Sequence, residues 1–229
     1  VYYPKILQKG CNAASMISGN GMANVYLKYG DDWDRPPTYN DMQSGEIGGG
    51  DLIEKLVNEE AVDVVAARDG NGGVVACSKS GRAEIRSDGD QLQYQCIGGD
   101  PFGYAPMVPG MTVDESLEVT FDTDYPDAPY QLLKLMSSAR AGDLVVSARK
   151  GFDLRELHEH PEHHASHGSL HRDHMHVPLL INADIHRPHV RTVDVYASML
   201  ELMGHCTEKY NEIEGRSFAT PTYSQGVNT

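Results

Sequence analysis

Apolar positions in this chain fall mostly in short runs bounded by glycine, asparagine and aspartate, a pattern of strands and tight turns broken by a few helical stretches. Between Ala14 and Lys28 two β-like runs flank Ser18-Gly19-Asn20-Gly21, where the Asn-Gly pair predicts a turn. Asp31 to Asn40 is polar, carries Pro36 and Pro37, and reads as a loop. After Gly48-Gly49-Gly50, Asp51 is placed to cap a helix. Leu52, Ile53, Leu56 and Val57 share one face of it through about Glu60. Val62 to Ala67 and Gly73 to Ser78 read as neighbouring strands joined through Asp69-Gly70-Asn71-Gly72. Ala83 to Arg86 and Leu92 to Gln95 predict an exposed hairpin around Ser87-Asp88-Gly89-Asp90, and Gly98 to Gly110 an irregular connection.

Further on, a helical pattern starts at Pro126, uses Tyr130, Leu133, Leu135 and Met136, and stops before Gly142. Asp143-Leu144-Val145-Val146-Ser147-Ala148 is a short apolar run between polar turns, as a central strand should be. Phe152 to His176 is polar and crowded with histidine. Val177-Pro178-Leu179-Leu180-Ile181 reads as another strand. Thr192 is placed to cap a helix with Val195, Met199, Leu202 and Met203 on one face, ended by Gly204. This order predicts an α/β core over residues 1–211, with 62–97 as an inserted antiparallel β region and 212–229 as a polar tail.

The chain has 229 residues, enough for one good-sized core or most of a larger domain. Its formal net charge of -14 makes it a poor candidate for binding nucleic-acid polymers, which depends on neutralising phosphates. A phosphate-containing small substrate stays compatible, because a metal ion or a local group of cations reverses the field in a pocket. No apolar run approaches a membrane span, and Val1 to Lys9 lacks the features of a signal peptide. The first residue is not Met, which suggests a fragment, as would a processed chain. Cys11, Cys77, Cys96 and Cys206 are too widely spaced for a zinc knuckle or redox motif, and Cys77 and Cys96 are expected as buried thiols.

Eight of the 11 histidines lie between positions 158 and 176: His158, His160, His163, His164, His167, His171, His174 and His176, with Glu159, Glu162 and Asp173 interleaved. Imidazole and carboxylate are natural ligands for zinc and related ions. Histidines of a polar loop also stand solvated, cap helices or bond to backbone carbonyls. A third possibility is an exposed metal-buffering loop of interchangeable histidines.

Three segments together resemble the alkaline phosphatase superfamily, of its type I phosphodiesterase and nucleotide pyrophosphatase kind. Gly142 to Ala148 is similar to the strand leading into that family's Asp-His metal pair. Ser166-His167-Gly168-Ser169-Leu170 followed by Val177-Pro178-Leu179-Leu180 is similar to the late His-Gly element and the strand after it. Arg191-Thr192-Val193-Asp194-Val195 running to Leu200-Glu201-Leu202-Met203-Gly204 resembles the closing helix. Gly98-Gly99-Asp100-Pro101 is a weaker match. The ordered trio covers about the last third of the chain.

The resemblance implies part of an alkaline-phosphatase-like three-layer α/β/α sheet, and the C-terminal part of a metal-dependent phosphoric or sulfuric ester hydrolase. A divalent metal, zinc or alternatively manganese, is implied as cofactor, and a small phosphate or sulfate ester as substrate. The family's Thr or Ser nucleophile has no counterpart here; Ser18 stands in a hairpin turn, so the chain alone is expected to be inactive. His167 is the residue carried over as a metal ligand, with His163, His164 and Asp153 as further candidates. His171 and His174 either ligate or pack above the following strand, and Asp173 ligates or orients a histidine.

One departure stands out. Where the family has Asp-His, this chain has Arg149-Lys150, then Gly151. Cations do not ligate metal. The pair either clamps an anion in place of an ion, or marks a decayed site in an inactive anion- or metal-binding member, or a site that uses Asp153 and the downstream histidines instead, or is a solvated basic turn.

Overall fold

The computed structural model describes residues 10–105, 107, 110–155, 165–205 and 213–222. They form two compact units, divided after His176. The first is a mixed α/β assembly built on one antiparallel sheet. In chain order it runs β1 (Ala13–Ser18), β2 (Met22–Leu27), α1 (Tyr39–Gln43), α2 (Leu52–Asn58), β3 (Val62–Arg68), β4 (Val74–Ser78), β5 (Gly81–Asp88), β6 (Gln91–Ile97), β7 (Met111–Thr112), α3 (Val113–Thr120), α4 (Ala128–Ser137), β8 (Leu144–Ala148) and α5 (Arg172–Met175). The sheet order is β1-β2-β8-β3-β4-β5-β6-β7, with every neighbouring pair antiparallel. Residues 62–97 thus supply four adjacent strands of that sheet, and β3 bonds directly to β8.

β8 is a central strand, as its apolar run predicts: it lies between β2 and β3, and all five of its residues are buried. Both sheet faces are covered. On one face Val145, Val64, Ala66, Val74 and Ala76 pack with Leu132 and Met136 of α4. On the other Leu144, Val146, Val65, Ala67, Val75 and Cys77 pack with Met42 of α1 and Ile53 of α2. Two-sided burial is why these strands read as continuous apolar runs rather than alternating ones.

The predicted turns are present. Gly19 and Asn20 both take left-handed backbone angles between β1 and β2, and Gly89 does so between β5 and β6. Asp51 caps α2 by accepting the Glu54 N–H at 2.9 Å. Three helices were not anticipated, α1, α3 and the short α5. α1 opens on Thr38 with Asp41 bonding back to its N–H at 2.8 Å, and α3 opens on Thr112 with Glu115 at 2.7 Å. Both are Thr-x-x-acid capping boxes, a signal legible in the sequence. The Arg68 guanidinium closes α4, donating to the carbonyls of Met136, Ser138 and Gly142 at 2.9, 3.0 and 3.1 Å.

The second unit contains β9 (Asp184–Ile185), α6 (Thr192–Leu202) and β10 (Ala219–Thr220), with β9 and β10 paired. α6 is the predicted helix, but its N-cap is Arg191 rather than Thr192, because Asp194 reaches back to the Arg191 N–H at 2.8 Å. The strand expected at Val177–Ile181 does not form. That stretch is extended and open, with Val177 71% and Leu180 94% exposed. Pro178 lacks an N–H for a ladder, and no described strand lies beside it. Cys96 also departs from expectation: it is exposed, at the end of β6 where the strand leaves the core, with its thiol 3.3 Å from Asp100 Oδ2. Cys77 is buried as expected, and burial pushes its thiol up to about 11. No helix among the described residues is long and apolar enough to cross a membrane.

Candidate functional site at the end of the central strand

The carboxyl end of β8 meets the turn between β1 and β2 and the start of β3. Ala148 N–H donates to Gly21 O at 2.8 Å, and Arg149 N–H to Ala61 O at 2.8 Å. The His-Gly element is fastened against this edge. His167 N–H donates to Gly19 O, and Gly21 N–H to His167 O, both at 2.9 Å. Leu170 N–H donates to the buried Ser147 hydroxyl of β8 at 3.0 Å.

Bare glycine permits this approach. A Cβ on Gly21 would lie 2.7 Å from both His167 O and Ser169 N, and one on Gly168 would lie 2.5 Å from Ser18 O. In the sequence Ser18-Gly19-Asn20-Gly21 looks like a hairpin turn only. In the fold its glycines are also the seat of residues 167–169.

The histidines after this seat are held by their Nδ1 atoms. His174 Nδ1 lies 3.2 Å from the Ser169 N–H and 2.8 Å from the Ser169 hydroxyl. His171 Nδ1 accepts the Asp173 N–H at 3.2 Å, which caps α5. Burial lowers the His174 pKa, with the neighbouring His171 and His167 adding to the effect and Asp173 opposing it. Asp173 pairs with Lys150 Nζ at 2.5 Å, and this hydrogen bond holds its carboxyl below the usual range.

Asp63 joins the same edge through an irregularity in β3. The register with β8 shifts between Val62 and Val64, so two residues of β3 oppose one of β8. This bulge places Val62 with Val65 and Ala67, against strict alternation. Asp63 is the extra residue. It turns to the opposite side, where Tyr125 donates its hydroxyl to Asp63 Oδ2 at 2.8 Å. Burial raises the Asp63 pKa, opposed by the Tyr125 hydrogen bond and by the nearby Arg149 and His171. Tyr125 is itself anchored, its carbonyl accepting the Tyr104 hydroxyl, and its ring meets His171 edge-on at 6.2 Å between centroids.

Of the residues predicted for the site, Arg149, Lys150 and His167 therefore stand at one edge of the sheet. His167 is exposed, with His174 as an imidazole neighbour. Asp153 is exposed, and its Oδ1 accepts the Arg155 N–H at 2.8 Å in a local turn. His163 and His164 lie outside the described residues, as do His158 and His160. Among the described residues no three His, Cys, Asp or Glu side chains are grouped to hold a metal ion. The described donor set therefore does not by itself fit the metal that the resemblance implies.

Asp63, Tyr125, Ser147 and Ser169 were missed. Asp63 carried one signal: a carboxylate interrupting Val62-Asp63-Val64-Val65, a run otherwise fit for burial. No family model, curated protein or solved structure matches the chain.

Proposed function

We propose that the chain is the C-terminal part of a metal-dependent phosphoric or sulfuric ester hydrolase. It would be of the phosphodiesterase or nucleotide-pyrophosphatase kind in the alkaline phosphatase superfamily. Zinc or manganese would be the cofactor, and the nucleophile would come from a segment outside these residues. The observation that carries this reading is the juxtaposition of two of the three resembling segments. His167 of the His-Gly element is hydrogen-bonded onto the turn that also receives Ala148, the last residue of the Gly142–Ala148 strand. Helices on both faces of the sheet agree with the layered architecture expected. Metal ligands beyond His167 would be His163, His164 and Asp153, completed by the nucleophile-bearing segment. A bound metal would supply charge for the attacked ester oxygens.

The test is hydrolysis of bis-para-nitrophenyl phosphate with zinc or manganese. The full-length product of the gene should turn it over, and His167→Ala should lose at least about 100-fold in rate. The 229-residue chain alone should be nearly inert. No turnover by the full-length product would overturn the reading, and robust turnover by the chain alone would place the nucleophile within it.

A second reading is a member that binds an anion or metal without turnover. It is favoured by Lys150, which stands where the family has a metal ligand and is bonded to Asp173. Metal analysis separates the two: stoichiometric zinc lost in His167→Ala supports ligation, and its absence from the full-length product supports the second reading.

A further inference from the structure

We infer that His171 and His174 are hydrogen-bond donors to a tetrahedral oxyanion, together with Arg149 and Lys150, and are not metal ligands. The inference deepens the reading above by assigning a place for the substrate's phosphoryl or sulfuryl group. It rests on that reading only for the anion's source.

Each of the two histidines has committed one ring nitrogen to a backbone N–H. A backbone N–H can only donate, so the ring atom facing it must carry a lone pair. His171 Nδ1 faces the Asp173 N–H and His174 Nδ1 faces the Ser169 N–H, each at 3.2 Å. The neutral rings therefore carry their proton on Nε2. A neutral histidine that binds metal through Nε2 needs its proton on Nδ1, donated to a carbonyl or carboxylate. Both rings are wired the opposite way, so metal at Nε2 would require an imidazolate or the loss of both backbone bonds.

The two Nε2–H groups are nevertheless open. Among the described residues neither has a hydrogen-bond partner, and neither is among the buried polar atoms left without one, unlike His176 Nε2. Donors that face solvent, cannot accept, and sit beside cations are the chemistry of an anion site.

The surroundings agree. Lys150 Nζ and His171 Nδ1 lie 2.5 and 3.8 Å from the same Asp173 Oδ2, and Arg149 precedes Lys150 directly after the end of β8. Two acids also face this edge. Asp173 is engaged by Lys150, and the charge on Asp63 is disfavoured by burial and engaged by Tyr125. Neither carboxylate stands as a bare charge against an incoming anion.

The experiment is calorimetric titration of the chain with inorganic phosphate in low-salt buffer containing EDTA, so that neither metal nor turnover contributes. A saturable site of about 1 mM or tighter is expected. His171→Asn is the informative variant. Asparagine is a strong N-cap, so it keeps the bond to the Asp173 N–H while deleting the Nε2 donor. It should weaken phosphate at least about fivefold, as should Arg149→Gln, in line with the loss of a charge-assisted hydrogen bond. Long-range proton–nitrogen spectra of the wild type should show bare Nδ1 and protonated Nε2 on both rings, with Nε2 shifting on phosphate addition. Absence of saturable phosphate binding, equal affinity in both variants, or a proton on Nδ1 of these rings would each overturn the inference. None of these outcomes depends on the hydrolysis assay.

Discussion

Gly19→Ala tests how residue 167 is held, and its size can be worked out against an internal control. Gly19 and Gly89 share a left-handed φ of +64°. Alanine at either position incurs about 1–2 kcal/mol for that conformation, offset by about 0.4–1 kcal/mol from a less flexible unfolded chain. The two sites differ in what the new methyl meets. At Gly89 nothing lies within 4 Å. At Gly19 the Cβ would sit 2.2 Å from His167 Nδ1 and 2.7 Å from His167 O. The ring is exposed and can swing away. The carbonyl cannot, because it is the acceptor of the Gly21 N–H, and the same residue's N–H is bonded to Gly19 O.

Relieving the clash thus breaks or stretches two backbone hydrogen bonds, at about 1 kcal/mol each. Gly89→Ala should destabilise the chain by about 1 kcal/mol or less, and Gly19→Ala by about 3 kcal/mol. Urea denaturation measures the difference. Hydrogen exchange at the His167 and Gly21 amides localises it, and both should lose protection in Gly19→Ala alone. If the two variants lie within about 0.5 kcal/mol and the His167 amide stays protected, the hairpin turn is not what positions residue 167.

Other consequences follow from the same edge. Ser147→Ala removes the acceptor of the buried Leu170 N–H and should cost about 1–3 kcal/mol in urea denaturation. Because burial raises the folded-state pKa of Asp63, its ionisation opposes folding: stability falls as pH rises from the ordinary carboxylate range through the raised value. Asp63→Asn should therefore unfold at higher temperature than wild type at pH 7, with the gap closing below about pH 4. His174 has the opposite sign. Its folded pKa is lowered, so its contribution is complete above the ordinary imidazole range and is lost as pH falls through the folded value. A thermal-shift profile between pH 7 and 5 should decline in wild type and flatten in His174→Asn. Leu132→Ala, in the α4 side of the core, should cost about 2–5 kcal/mol in the same denaturation assay.

Much of this architecture is written locally. The run from Leu144 to Ala148 was legible as a central strand because burial on both faces leaves no polar alternation. Asn20, Gly89 and Asp51 marked turns and a cap because each residue type satisfies a specific backbone requirement within a few positions. The cluster of histidines was equally visible as composition.

What those histidines do was not legible, because it depends on partners distant along the chain. The tautomers of His171 and His174 are set by which backbone N–H each ring meets. The approach of His167 is set by the absence of a Cβ at Gly19 and Gly21, well over a hundred residues earlier. Asp63 reaches this edge only because β3 carries one residue more than β8 along their pairing, a register fact that no alternation pattern in β3 alone encodes. Conversely, Val177–Ile181 has the composition of a strand and forms none, since a strand needs a partner edge as well as apolar residues. Local sequence determined the elements and the chemistry carried on each. Tertiary packing decided which of those groups meet, and so which nitrogen, carboxylate or hydroxyl is left to act.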